Sequence, residues 1–544
     1  MRIILFVIVI WVNIIKINFG QTVVWSNFYN ELPSSQEAVA DVSFDQLGNT
    51  YLLGYGRIVT IQSYDFILIK SNENGEKEWS KVFNGTQNDN DLPSALFVDA
   101  TGNVYVTGIT RWLNNTYKIV TLKYSASGNL LWSTVFDSTG VSESRSNDIS
   151  VSNDGFIYVT GYASPNNNGY YDLVTLKLSN DGEILDWNYF GQSTNSSDNG
   201  SIVITDNNGN VIVGGDSFRN TTFGREAVII KYNSSLDTIW VHRINGNDNS
   251  FNEFTTDLAV DDTGNVYTLC RLQNNPGFTD YAVIKINSSG EILWRKEFDE
   301  AGAQDLPQAM CLDNDGNVIV TGTVRRIGSG GYNDFAVIKY NNAGERQWIS
   351  YYDGPNNLDD DPINIGSDIY RNIYICGESN RTGGNFKFIT AKYNPEGSFI
   401  WEYVYDENVS SKAIAISTEV NGYVYAAGEG ENTLGNQNMF AVKLSNVTGI
   451  EKNLITLNDY YLLQNYPNPF NPSTKISWQS PVSGHQSLKV YDVLGNEVAT
   501  LVDEYKSAGS YEVDFIASEL PSGVYIYKLQ SGDFIKTMKM ILLK

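Results

Sequence analysis

The chain has 544 residues, 13% aromatic and only 18% charged, with a net charge of −25. That length allows a large core and more than one domain. The acidity excludes bulk attraction to a phosphate backbone, because the protein's own field repels it.

Residues 1–20 stand apart. Met1-Arg2 is a short basic start, Ile3 to Ile15 is almost wholly apolar, and Asn18-Phe19-Gly20 supplies a cleavage site before Gln21. This is the pattern of a secretory signal peptide. Lys16 leaves the run short for a spanning helix.

Residues 21–449 repeat. The pattern reads Gly48-Asn49-Thr50-Tyr51, Gly102-Asn103-Val104-Tyr105, Gly155-Phe156-Ile157-Tyr158, Gly209-Asn210-Val211-Ile212, Gly264-Asn265-Val266-Tyr267, Gly316-Asn317-Val318-Ile319, Arg371-Asn372-Ile373-Tyr374 and Gly422-Tyr423-Val424-Tyr425. Its steps are 54, 53, 54, 55, 52, 55 and 51 residues, so one structural unit is arrayed. In residues 92–138 the unit reads as four strands. Ser94 to Val98 precedes a turn at Asp99 to Asn103, Val104 to Thr107 precedes a polar loop, and Lys118 to Tyr124 and Leu130 to Phe136 follow. A Lys ends each third strand, and a Trp marks each fourth strand at Trp79, Trp132, Trp187, Trp240, Trp294, Trp348 and Trp401. Trp187 is displaced by one position.

The two ends of the array complement each other. The copy near Ser411 lacks a Trp strand, and Val23 to Tyr29 is a Trp strand without a unit. Pairing them closes a ring and removes the exposed sheet edges. The expected fold is all-β, an eight-bladed β-propeller. Seven blades is the alternative, because the last two copies diverge most. The units resemble bacterial SBBP beta-propeller repeats, with Asp-x-x-Gly-Asn-Val-Tyr-Val-Thr-Gly, a Lys-ending strand and Gly-x-x-x-Trp. That resemblance covers about residues 21–449 and concerns structural positions. The three cysteines, Cys270, Cys311 and Cys376, have no zinc spacing and read as buried thiols.

Residues 450–461 read as a linker, and residues 462–544 as a small Ig-like β-sandwich. Pro467, Pro469 and Pro472 impose an extended start, and alternating apolar runs follow. Four motifs carry a resemblance: Asn465-Tyr466-Pro467-Asn468-Pro469-Phe470, Val490-Tyr491-Asp492-Val493-Leu494-Gly495, Leu520-Pro521-Ser522-Gly523-Val524-Tyr525 and Lys539-Met540-Ile541-Leu542-Leu543-Lys544. The segment is similar to the type A C-terminal sorting domain of the type IX secretion system. The resemblance implies passage through the outer membrane by that machinery, with the remainder held at the cell surface.

Catalytic chemistry is sparse. His242 and His485 are the only histidines and fall in different domains, which leaves few options for a Ser-His-Asp set or a His-based metal site. No cofactor is implied. Turns such as Asp313-Asn314-Asp315-Gly316-Asn317 have calcium-like oxygens, but Val324 stands where the calcium pattern needs Glu. The meander puts the second-to-third loops and the interblade loops on one face. There the sequence gathers Arg57, Arg111, Arg219, Arg271, Arg325 and Arg381 with interblade acids including Asp148, Asp359, Asp360 and Asp361. Trp112, Tyr170 and Phe278 would be stacking platforms. Two uses follow: Arg–Asp pairs that pin loops together, or a site for a polar ligand. The expected function is a secreted, surface-displayed propeller that binds an extracellular protein or glycan without catalysis. A propeller enzyme cleaving polysaccharide, with Asp359 to Asp361 as first candidates, and a structural spacer are the alternatives. Contact with the membrane would come only through surface attachment.

Overall fold

The computed structural model describes residues 22–29, 31, 37–45, 47–57, 63–138, 140–165, 170–191, 197–220, 224–246, 253–275, 278–300, 302–326, 331–381, 384–405, 410–418, 423–431, 437–445, 461–462, 465, 470–480, 482–507, 509–532 and 534–543. The expected signal peptide, residues 450–460 of the linker, Tyr466 to Pro469 and Lys544 lie outside them. The chain forms two compact units, Met1–Asn446 and Val447–Lys544.

The first unit is an eight-bladed β-propeller. Seven four-stranded antiparallel sheets are built from consecutive strands, spanning 37–83, 92–135, 144–190, 198–244, 254–298, 306–352 and 360–404. The eighth blade holds Ser410–Thr418, Tyr423–Glu431 and Gln437–Ser445, and Thr22–Tyr29 completes it. Thr22 pairs with Ser445 and Tyr29 with Met439, so the N-terminal strand closes the ring as expected. Each first strand contacts the first strand of the next blade, and the eighth contacts the first. In blade 2 the second strand, Val104–Arg111, runs four residues further than the sequence pattern suggested. Arg111 therefore stands on a strand, paired with Tyr117, instead of in a loop.

Burial explains the hydrophobic pattern. Second and third strands are covered on both faces by neighbouring blades and are buried almost continuously, as in Val318–Val324 and Asp334–Tyr340. Fourth strands are the outer edge and only half-buried. Cys270 and Cys376 are buried thiols, and burial raises them to about 11 and about 12.

The consensus residues form a network. Asp99 Oδ1 accepts the N–H groups of Thr101 and Asn103, and Oδ2 accepts the Asn103 amide and the Tyr105 hydroxyl. Gly102, with φ 79°, makes that turn possible. Lys123 Nζ lies 4.8 Å from the Tyr105 ring centre. Where Ile replaces the Tyr, the Lys reaches the turn carboxylate directly: Lys231–Asp206 is 2.9 Å and Lys339–Asp313 is 2.8 Å.

The tryptophans are staples between blades. Trp25, Trp79, Trp132, Trp240, Trp294 and Trp348 each donate Nε1–H to a carbonyl in the third-to-fourth turn of the next blade, at 2.9–3.3 Å. The turn glycines lie against these indoles; a Cβ on Gly182 or Gly397 would sit 2.5 Å from the ring. Blade 3 breaks the rule. Asp186 takes the place opposite Lys177 that Trp240 takes opposite Lys231, and Trp187 points away, 40% exposed. The next blade compensates. Its turn has Leu236 instead of Gly, held at φ 58° and only 2% exposed, among Tyr158, Leu173 and Val203.

Around the ring axis a second alternation appears. Asp41, Asp148, Asp257 and Asn364 occupy the position after the first-strand bulge in blades 1, 3, 5 and 7. Ala95, Ile202, Ala309 and Ala415 occupy it in the even blades. Each of the three acids accepts its own neighbour's N–H and one from the next blade: Leu96, Val203 and Met310, at 2.7–2.8 Å. They satisfy donors on the inner strand edge that no ladder partner reaches. Asp148 thus belongs to an inner strand, which corrects its expected place in an interblade loop. Burial raises Asp41 and Asp257 to about 7 and Asp148 to about 6, against these N–H donors.

The second unit is two packed sheets. One joins Tyr461–Leu462, Ser473–Ser480 and Gly509–Ile516; the other joins Glu497–Lys506, Gly484–Tyr491, Gly523–Ser531 and Phe534–Leu542. Trp478, Leu488, Val490, Tyr527, Met540 and Leu542 form the core between them. The motif residues are structural. Phe470 is buried and exchanges backbone bonds with Ile541 and Leu543. Gly495, with φ 85°, closes the Asp492–Asn496 hairpin turn. Gly523 starts a strand.

Candidate functional site: the long-loop face

The sequence signals on this face begin at the blade junctions. The third strand of one blade and the first strand of the next meet there. The N–H groups of Asp91, Asp198, Glu253, Asp305 and Asp360 donate to the carbonyls of Tyr64, Tyr171, Arg225, Thr279 and Asn333. The residues after those carbonyls are Asp65, Asp172, Glu226, Asp280 and Asp334, so two carboxyls face each other at five junctions. All ten residues are buried except Asp172, which is half-buried.

Two other junctions replace the pair. Lys118 with Ser144 stands in blades 2 and 3, and Lys387 with Ser411 in blades 7 and 8, by the same register. Lys118 Nζ pairs with Asp137 at 3.1 Å and donates to the Val141 carbonyl. The eighth junction has Asn438 and Glu37. An acid pair is thus exchanged for Lys and Ser together, never for one alone. A cationic group at this place is compatible with the fold.

Arginine supplies the cation at two of the acid junctions. Arg243 lies 3.3 Å from Glu226. Arg326 bridges Asp334, at 2.6 Å, and Asp353, at 3.3 Å. The predicted arginines are tied differently. Arg111 is 3.7 Å from Asp89 and 4.6 Å from the centre of the Tyr117 ring, whose other contact is Arg145 at 4.8 Å. Arg381 binds Glu402 at 2.7 Å and the Tyr352 hydroxyl at 2.6 Å. Arg325 donates to Asn333 at 3.0 Å and is exposed. Arg271 lies on a strand, Val266–Asn275, over Phe254, and burial lowers its pKa. Arg57 ends a strand and is exposed. Arg219 also falls in a strand, Val211–Asn220; its side chain lies outside the described residues. These second and third strands extend past the ring as ribbons, so several arginines expected in loops are strand residues.

The predicted acids do not form one cluster. Asp359 Oδ1 accepts the Asn333 N–H at 3.0 Å, Asp360 Oδ2 the Gly354 N–H at 2.6 Å, and Asp361 Oδ1 the Thr323 hydroxyl at 3.1 Å. Asp360 is fully buried beside buried Asp334 and exposed Asp353, and burial raises it to about 6. In the calcium-like turn both Asp313 oxygens are already engaged, by turn N–H groups, Asn317 and Lys339. Sequence reading missed the junction pairs. Their signal was an acid opening each apolar third strand, with a second acid 25 to 27 residues later.

Aromatic residues mark the same face. Tyr170, Phe278 and Tyr332 are 39%, 44% and 41% exposed. Trp112 donates Nε1–H to Asp137 at 3.0 Å, which fixes its ring. His242 lies away from this face on a fourth strand, Thr238–Ile244, and bonds the Gly290 carbonyl at 2.8 Å.

Comparison with known proteins identifies one part of the chain. Residues 464–544 match the secretion system C-terminal sorting domain. No curated protein matches the sequence. Among solved structures the chain is similar to PorZ of Porphyromonas gingivalis, a surface component of the type-IX secretion system, at 12% identity, covering 93% of this chain and 81% of that one, with a TM-score of 0.31. It is also similar to a protein of unknown function from Dyadobacter fermentans, at 10% identity, 79% and 100% coverage and a TM-score of 0.36. A third is the β-propeller domain of the trilobed protease from Pyrococcus furiosus, at 9% identity, 66% and 96% coverage and a TM-score of 0.37. The C-terminal unit is a type IX sorting domain, and it directs the propeller to export and display at the cell surface.

Proposed function

We propose that the displayed propeller is a binding protein whose long-loop face takes an extracellular protein or glycan without chemical turnover. The carrying observation is the trio Tyr170, Phe278 and Tyr332, large rings left substantially exposed on one face. Exposed rings suit stacking on sugars or flat contacts with protein. The predicted acids Asp359, Asp360 and Asp361 are each engaged by a different hydrogen-bond donor, which suits a structural role better than paired acid–base work.

A glycan array and a surface-protein pull-down with the purified exported chain test this reading. Retention that is lost in a Tyr170→Ala, Phe278→Ala, Tyr332→Ala variant supports it. Release of sugar fragments from a polysaccharide would establish the enzyme instead, and retention unchanged in the triple variant would refute the assigned face. Export has a separate test. Removing residues 461–544 should leave the protein in the periplasm, and surface display of that truncation would break the assignment.

A further inference from the structure

The sorting domain contains a turn whose geometry recurs in the propeller. Asp492 Oδ1 accepts the N–H groups of Leu494 and Asn496, and Oδ2 accepts the Asn496 amide, each at 2.9 Å. Asp99, Asp206, Asp261 and Asp313 hold their turns by the same bonds. The two residues before the glycine in those turns are Ala100-Thr101, Asn207-Asn208, Asp262-Thr263 and Asn314-Asp315, so the turn needs no large apolar side chain there. The sorting domain has Val493-Leu494, 68% and 83% exposed. In the propeller, Ile369-Tyr370 at these positions are half-buried, and Leu47 stands singly, 60% exposed.

This tip is part of a larger apolar surface. Tyr491 pairs with Ile526 and Val524 with Ile541, so the turn after Tyr491, the start of Gly523–Ser531 and the end of Phe534–Leu542 share one end of the four-stranded sheet. Tyr525 and Tyr527 point into the core, which turns Val524 and Ile526 outward, each 38% exposed. Leu543, 54% exposed, follows the last strand at the same end. Single exposed aliphatic side chains are ordinary, but a group gathered at one end of a small domain marks an interaction surface. The motif residues divide accordingly. Phe470, Val490, Tyr525 and Leu542 are buried, and Asp492 and Gly495 build the turn. Val493, Leu494, Val524 and Leu543, from three of the motifs, face solvent.

We propose that this end of the sorting domain docks on the type IX export machinery, with Val493 and Leu494 entering an apolar pocket of that partner and Val524 and Ile526 lying against its edge. A sorting domain is read by the machinery that exports it, and that reading has to use side chains outside the core. Both Asp492 oxygens are taken by the turn, so the tip offers aliphatic surface with its carboxylate already engaged. The same bonds hold the tip in one conformation before contact, so docking orders little. An aliphatic side chain moved from water into a partner's pocket shifts an equilibrium by about tenfold or more. The inference does not depend on what the propeller binds.

The test uses the full-length chain in a bacterium with a type IX system. Protease accessibility at the cell surface reads export, and thermal unfolding of the purified protein checks the fold. Val493→Asn with Leu494→Asn installs the pair that Asn207-Asn208 already provides in the same turn, so Tm should stay at the wild-type value. Surface display should fall about tenfold or more, with the chain accumulating in the periplasm. Val524→Thr, which keeps the β-branched shape of its strand, should reduce display in the same direction. Ile535→Asn is the control, because Ile535 is 54% exposed on the same sheet at its opposite end; it should be displayed like the wild type. Full display of the tip variant, or of Val524→Thr where the tip variant unfolds early, overturns the proposal. Equal loss in Ile535→Asn does so too, because it would show a general need for apolar surface. A wild-type dimer that the tip variant dissolves without loss of display would assign the surface to a second copy and also overturn it. Removing residues 461–544 separates this surface from the sorting assignment: retention of that truncation beside full display of the tip variant keeps the domain and removes the surface.

Discussion

Leu236 and Asp186 should behave as one unit although they lie in different blades. Truncating a buried Leu costs about 2–5 kcal/mol, depending on how well the site collapses. Leu236→Gly recovers part of that, because a left-handed residue with a Cβ stores about 1–2 kcal/mol that glycine does not. Glycine's greater freedom in the unfolded chain costs roughly 0.5–1 kcal/mol. The single variant should therefore lose about 1–4 kcal/mol. Asp186→Trp alone drives an indole toward the space Leu236 fills, an overpacking cost of about 1–3 kcal/mol. The double variant rebuilds the arrangement of Trp240 on Gly290, at the same spacing of 50 residues. It should be more stable than the sum of the singles predicts, with a coupling of about 1–3 kcal/mol. Urea unfolding and calorimetry of the four proteins complete the cycle. Strict additivity, within about 0.5 kcal/mol, would refute the compensation argument.

Stability should also depend on pH through the axial acids. Asp41, Asp148 and Asp257 have folded pKa values near 7, 6 and 7, above the ordinary 3.8. Their stabilisation is complete below about pH 4 and is lost as pH rises through 6 to 7, at up to about 1.4 kcal/mol per pH unit for each group. The turn acids Asp99, Asp206 and Asp313 are lowered and act oppositely, losing stability as pH falls below about 4. Thermal unfolding should thus give a higher Tm near pH 5 than at pH 8. Asp257→Asn, a change that blade 7 already has at Asn364, should flatten that fall; an unchanged slope would exclude Asp257 as a contributor. Deleting residues 22–29 bares one edge of the strand Gln437–Ser445 from Met439 to Ser445. It should lower Tm and promote aggregation, seen by light scattering, and a monomer as stable as the wild type would contradict closure by that strand.

The ring was legible because its period and its two incomplete ends are both written in residue order. Each Trp, Gly and Lys recurs where a neighbouring blade needs it. The junction acids were not legible in the same way. Asp65, Asp280 and Asp334 look like ordinary polar residues opening a strand, and only the packing of blade on blade shows them buried opposite a second acid. The arginines misled for a related reason. Arg111, Arg219 and Arg271 follow the repeat's closing position, which sequence treats as the end of a strand, whereas paired ribbons continue past it. The turn Asp313 to Asn317 shows the limit of composition: calcium-like oxygens are present, but Lys339 already holds the carboxylate.

Departures from the repeat fall into two kinds, and the difference locates function. Some are matched by a second change or by a rearranged contact within the ring. Asp186 is matched by Leu236, Lys118 by Ser144, and Ile319 by the direct Lys339–Asp313 pair. Matched changes preserve packing or charge inside the ring, so they concern the fold. Others stand exposed on the long-loop face. Tyr170, Phe278 and Tyr332 extend into solvent, and Asp299 adds a third carboxylate beside a buried pair. The fold does not require exposed rings, and a large exposed apolar surface carries a cost in an isolated propeller. The proposed counterpart of the rings is a partner surface, and the triple alanine variant at Tyr170, Phe278 and Tyr332 tests it.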